Sequence, residues 1–153
     1  MAHEPNDRRT LWLFDIDGTL VDSFDAQHLR PLVLELFATI QSSDAAIGVW
    51  SAGGIAHAER VAQRHGLTPA ITHFFEKLIH SDGYWAVHPD ALRDYSPIVC
   101  VDDQPSRLPS TVEAIRVFPY LRPNPHDRAL APALARAATP STSALRQARG
   151  GQG

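Results

Sequence analysis

The stretch Leu11–Ser23, LWLFDIDGTLVDS, decides how the chain is read. It opens with a nearly continuous apolar run from Leu11 to Ile16, the pattern of a strand covered on both faces. At the end of that run stand Asp15 and Asp17. Like charges so close repel, and burial beside an apolar strand penalises the ionised form of each. A pair in that setting points to a bound cation or to chemistry. The plain structural alternative is a solvated Asp-Gly turn, a common pairing. The rest of the chain decides between them.

Downstream, Leu29, Leu32, Val33, Leu36, Phe37 and Ile40 follow a three–four spacing that predicts a helix over about Ala26–Ile40. AAIGVWS (45–51) reads as a second strand, broken by Gly53-Gly54. A helix is expected over Ile55–His65, closed by Gly66. FFEKLIHSDG (74–83) reads as a third strand running into a turn at Asp82-Gly83, and Pro89–Tyr95 as a short helix with proline in its first turn. SPIVCVDD (96–103) is the strongest strand after the first. A loop and helix, a weaker fifth strand in AIRVF (114–118) and an Ala-rich helix near His126–Ala138 complete the pattern. Residues 1–10 read as a flexible arm, 11–138 as one domain, and 139–153, small, polar and glycine-rich, as a disordered tail.

Strands alternating with helices imply an α/β, Rossmann-like three-layer sandwich: a mostly parallel sheet with right-handed crossovers. Ligands of such sheets sit beyond the carboxyl ends of the strands. Three expected strands carry polar residues at those ends: Asp15 and Asp17, then Ser51, then Asp102 and Asp103. Converging carboxylates suit a hard divalent cation such as Mg2+, which takes oxygen ligands, keeps several waters and pairs with phosphate. Alone, Ser51 and Asp103 also read as helix N-caps.

FDIDGTLVDS, GVWSAG and PIVCVDDQP, in that order on alternating strands, resemble the haloacid dehalogenase-like (HAD) phosphohydrolase superfamily over roughly 11–118. The resemblance implies a five-stranded sheet of order 5-4-1-2-3. It implies Asp15 as the nucleophile forming an aspartyl-phosphate, and Asp17 as the acid that protonates the leaving oxygen and then activates water. Thr19 would position Asp17 and belong to the phosphate-binding set. Asp15, the main-chain carbonyl of Asp17 and Asp102 would hold Mg2+, with Asp103 binding directly or through water. Ser51 and the neighbouring Ala52 amide would bind phosphoryl oxygens. Halide-removing relatives lack an acid at the Asp17 position, which favours phosphoester chemistry.

Two departures stand out. The family usually supplies a lysine or arginine ahead of the last acidic strand. The single lysine, Lys77, falls near the start of the expected third strand, at the end away from the site. VHPDAL (87–92) aligns His88 with the cationic position instead. Histidine is mostly neutral at pH 7 unless nearby anions hold its proton, so Lys77, Arg93 and Arg107 remain alternatives. The weak cation motivates a rival reading, a phosphate-binding regulatory module without turnover. The second departure is that neither gap that carries a cap domain in relatives has room for one. That implies a capless member, whose open site admits a phosphate on a protein, a polynucleotide end, or a small molecule covered by a second subunit. VWSAGG also distantly resembles capless phosphoprotein phosphatases of the carboxy-terminal-domain type.

Composition agrees with an ordinary soluble domain. A net charge of -3 argues against a broad nucleic-acid surface. One cysteine, Cys100, excludes an internal disulfide and fits a reducing, cytoplasmic setting. No apolar run approaches the roughly 18 residues of a membrane span.

Overall fold

The computed structural model describes residues 8–139. The arm and tail expected at the two ends therefore lie outside the described residues, apart from Arg8–Thr10 and Thr139. The elements run β1 (Arg9–Asp15), α1 (Val33–Ser42), β2 (Ala46–Ser51), α2 (Ile55–Arg64), β3 (His73–Glu76), β4 (Leu78–Ile79), β5 (Trp85–Ala86), α3 (Pro89–Asp94), β6 (Tyr95–Asp102), β7 (Glu113–Arg116) and α4 (Ala131–Ala138).

Five strands form one sheet in the order β3-β2-β1-β6-β7, and every pairing in it is parallel. Counted among themselves, they follow the order expected from the sequence. The difference in detail is β4 and β5, a small antiparallel hairpin outside the sheet. Alternate residues of β1 divide the core. Trp12 and Phe14 pack with Val33, Leu36, Phe37 and Ile40 of α1, Ala58 and Val61 of α2, and Ala133 of α4. Leu11 and Leu13 face the other way, with Trp50, Phe75, Trp85, Ala91 of α3 and Leu108. Each large side chain so buried contributes about 1.5–3 kcal/mol. Gly48 keeps the second layer close: a Cβ there would lie 3.4 Å from both Leu11 Cδ1 and Leu13 Cδ1. Cys100 is fully buried in this layer, and burial pushes its thiol up to about 12, so it is a core residue and no nucleophile.

Several boundaries differ from the expected ones. The helix expected from Ala26 begins only at Val33. The buried Asp22 carboxylate accepts the amides of Asp25 (3.1 Å) and His28 (2.8 Å), which holds this stretch as a loop. Ala26 and Leu32 both adopt positive φ, which a continuous helix does not allow. The expected third strand is two things: β3, which stops at Glu76, and half of the hairpin, which turns through Gly83 at φ 87°. After β6 there is only a short 3-10 turn at Pro105–Arg107 in place of the expected helix. Among the described residues no helix is long and apolar enough to cross a membrane.

Candidate active site

Asp15, Ser51 and Asp102 are the last residues of β1, β2 and β6, and Lys77 directly follows the last residue of β3. Parallel pairing carries all four to one edge. β1 lies between β2 and β6 in register, Asp15 beside Trp50 and Phe14 beside Val101. Carboxylate oxygens of Asp15, Asp102 and Asp103 all lie within 4.8 Å of one another.

Lys77 is the centre of the cluster. Its Nζ donates to Asp102 Oδ2 at 2.5 Å and to Asp15 Oδ1 at 3.3 Å, and the residue is only 7% exposed. The backbone explains how it arrives there. The Lys77 amide donates to the Ser51 carbonyl at 3.2 Å, continuing the β2–β3 pairing just past the end of β3. The side chain then passes between two indoles, with Nζ 5.2 Å from the Trp50 ring centroid and 4.6 Å from that of Trp85. The expectation that Lys77 lies at the far end of a long strand is thus overturned by the early stop of β3. His88 stands elsewhere. It caps α3, its Nδ1 accepting the Asp90 amide at 3.1 Å, and its ring stacks on Phe75 at 5.2 Å. Arg93 pairs with Asp90 and Asp94 on the surface, and Arg107 lies over the Trp85 ring.

Three carboxylates against one ammonium leave the site short of positive charge. Burial above all pushes Asp15 up to about 7; Asp102 and Asp103 push the same way and Lys77 opposes them. Burial and the neighbouring Asp102 likewise raise Asp103. Asp102 is fully buried, and its second oxygen accepts the Gln104 amide at 2.8 Å. Such a set of hard oxygen donors, held rigidly and under-neutralised, fits a small divalent cation.

The loop after β1 is tightly folded. The Ile16 carbonyl accepts the amides of Thr19, Leu20 and Val21, and Gly18, at φ 80°, donates to Val21. A Cβ on Gly18 would stand 2.8 Å from Asp103 Oδ2, so the glycine lets the first and last acidic segments meet. Thr19 Oγ1 donates to Asp15 Oδ2 at 3.2 Å, so it steadies Asp15 and not, as expected from the sequence, Asp17. Asp17 instead meets His57, Nε2 to Oδ2, at 2.8 Å. The Ser51 hydroxyl accepts the Gly53 amide at 3.0 Å, and Ala52 follows at the exposed tip of this turn.

The structure thus brings Asp15, Asp102, Asp103 and Ser51 to one edge, while the placing of Lys77 and the contact between Asp17 and His57 were not expected from the sequence. Sequence reading also missed Arg30, which is 1% exposed. Arg30 pairs with Asp127 at 2.8 Å and donates to the carbonyls of Gly18 and Thr19 at 3.3 Å and of Phe118. Arg30 thereby ties the loop after β1 to the segment that follows β7. A second cluster, Asp22, Asp25 and His28, has its buried member engaged by backbone amides.

No family model matches the chain, and no curated protein does. Among solved structures it is similar to D,D-heptose 1.7-bisphosphate phosphatase from B. bronchiseptica, complexed with magnesium and phosphate. The identity is 14%, the TM-score 0.47, and the match covers 84% of this chain and 99% of that one. It is also similar to MT0777, with 11% identity, a TM-score of 0.38, and 84% and 95% of the two chains covered.

Proposed function

We propose that the chain is a magnesium-dependent phosphomonoester hydrolase of the HAD-like type, working through an aspartyl-phosphate on Asp15. The observation that carries this reading is the bridge from Lys77 to Asp15 and Asp102, set beside Asp103 and Ser51 at one sheet edge. That arrangement supplies the cation whose apparent lack motivated a non-catalytic phosphate-binding module.

Asp15, Asp102, Asp103 and the main-chain carbonyl of Asp17 would hold Mg2+, which offsets the charge of the carboxylates and of the phosphoryl group. Lys77, the Ser51 hydroxyl and the Ala52 amide orient the phosphoryl oxygens and meet the charge that develops on them. A carboxylate oxygen of Asp15 attacks phosphorus, and the bond from phosphorus to the leaving oxygen breaks. Asp17 gives its proton to that oxygen, then takes one from the water that attacks the aspartyl-phosphate, releasing phosphate and restoring Asp15. In this reading His88 serves the start of α3 and takes no part in phosphate binding.

The site is open. Between β1 and β2 the chain has a loop and one helix, and between β3 and β6 a small hairpin and α3. A capless site of this kind suits a phosphorylated macromolecule end or a small phosphate ester. The test is magnesium-dependent phosphate release from phosphopeptides, nucleotides, 5′- and 3′-phosphorylated oligonucleotides and sugar phosphates. Release by the wild type and its loss in Asp15→Asn are expected. No release from any of them, or release unchanged in Asp15→Asn, would overturn the reading.

A further inference from the structure

We propose that His57 is a positioning residue for Asp17, an inference that rests on the phosphohydrolase reading above. The two are 40 positions apart, and His57 Nε2 lies 2.8 Å from Asp17 Oδ2. Among the described residues no other side chain hydrogen-bonds the Asp17 carboxylate, since Thr19 turns to Asp15. Asp17 sits on a loop with its side chain 41% exposed, where a lone carboxylate would sample several rotamers.

His57, by contrast, is anchored. It belongs to the first turn of α2, whose next residue, Ala58, is fully buried in the core. Its ring also lies against Gly53, where a Cβ would stand 3.1 Å from His57 Cδ2 and 3.3 Å from Ser51 Oγ. The missing side chain of Gly53 therefore lets the ring rest against the turn that carries Ser51. The contact engages one Asp17 oxygen and leaves Oδ1 for the leaving group. His57 thus fixes the direction in which Asp17 delivers its proton, relative to the phosphate-binding turn.

A proton donor matters when the leaving oxygen is basic and hardly at all when it leaves readily as an anion. The experiment therefore compares kcat/KM, which covers the steps through loss of the leaving group, for an alkyl phosphate and for p-nitrophenyl phosphate. In His57→Ala the alkyl phosphate value is expected to fall about 10–100-fold and the aryl value less than about 3-fold, a part of the full effect of a general acid. His57→Gln, which keeps an N–H donor, restores part of the loss. Adding His57→Ala to Asp17→Asn lowers the rate no further, because one residue acts through the other. Equal loss on both substrates, or additive loss in the double variant, would overturn the role of His57 while leaving the phosphohydrolase reading intact. Absence of any wild-type hydrolysis would overturn the phosphohydrolase reading and the role of His57 with it.

Discussion

Lys77 Nζ lies 2.5 Å from Asp102 Oδ2, so an ammonium from the end of β3 reaches past β2 and β1 to the fully buried carboxylate that ends β6. The ion pair closes the sheet edge where the acids collect. Removing one partner of a buried pair costs more than the pair itself contributes, because the other charge is left in a poorly solvated place.

Lys77→Met should therefore lower the stability of the metal-free protein by about 3–5 kcal/mol. Phosphate release should fall by about 100-fold or more, the scale of a lost oxyanion donor. His88→Ala should change stability by no more than about 1 kcal/mol, the size of a helix cap. Activity should stay near wild type, since the His88 ring stacks on Phe75 and its Nδ1 is taken up by the Asp90 amide. Denaturant melts and release assays on the two variants check both statements.

The raised Asp15 carboxyl makes stability depend on pH. Its value is about 7 in the folded state against 3.8 for an ordinary aspartate. Between those values the folded chain holds a proton that the unfolded chain has lost, so stability falls as pH rises through this window. The metal-free protein should lose up to a few kcal/mol between about pH 4 and 7, since each tenfold difference in proton affinity between the two states is worth ~1.4 kcal/mol. Mg2+ should restore more stability at pH 8 than at pH 5, because the cation must displace that proton. Asp15→Asn should flatten the profile. Thermal melts from pH 4 to 8, with and without Mg2+, read the outcome.

Gly18→Ala should be costly for its size. The residue holds φ 80°, and the new methyl would meet Asp103 Oδ2 at 2.8 Å. The strain is of order 1–3 kcal/mol. Displacement of Asp103 should also weaken magnesium binding, readable as a smaller Mg2+-induced rise in melting temperature than in wild type.

Arg30→Met should unfold the protein more readily by about 3–5 kcal/mol, leaving Asp127 without its partner. The carbonyls of Gly18, Thr19 and Phe118 would also lose their donor. Loss of melting temperature in Arg30→Met, partly recovered when Asp127→Asn is added, would identify the stranded charge as the main cost.

The sheet and the acids were legible in the sequence because each strand is a short apolar run that ends in a polar residue. Asp15, Ser51 and Asp102 could be placed at strand ends from that pattern alone. Lys77 could not. The apolar pattern continues through Leu78 and Ile79, and only the β2 pairing and the two indoles around Nζ show that β3 stops at Glu76. The late start of α1 was hidden for a similar reason: Leu29 and Leu32 pack on the core at helical spacing, while Asp22 binds the amides of Asp25 and His28 and Leu32 takes a positive φ. His57 and Asp17 carry no shared motif, and only the packing of α2 on the sheet brings them together.

The central claim is that Asp15 becomes phosphorylated, and borohydride trapping during turnover tests it most directly. Reduction of an aspartyl-phosphate converts that residue to homoserine. Peptide mass spectrometry should find homoserine at position 15 when enzyme, Mg2+ and substrate are reduced together, and unmodified aspartate when Mg2+ or substrate is left out. Phosphate release in full with position 15 unmodified, or with homoserine at another acid, would contradict the account.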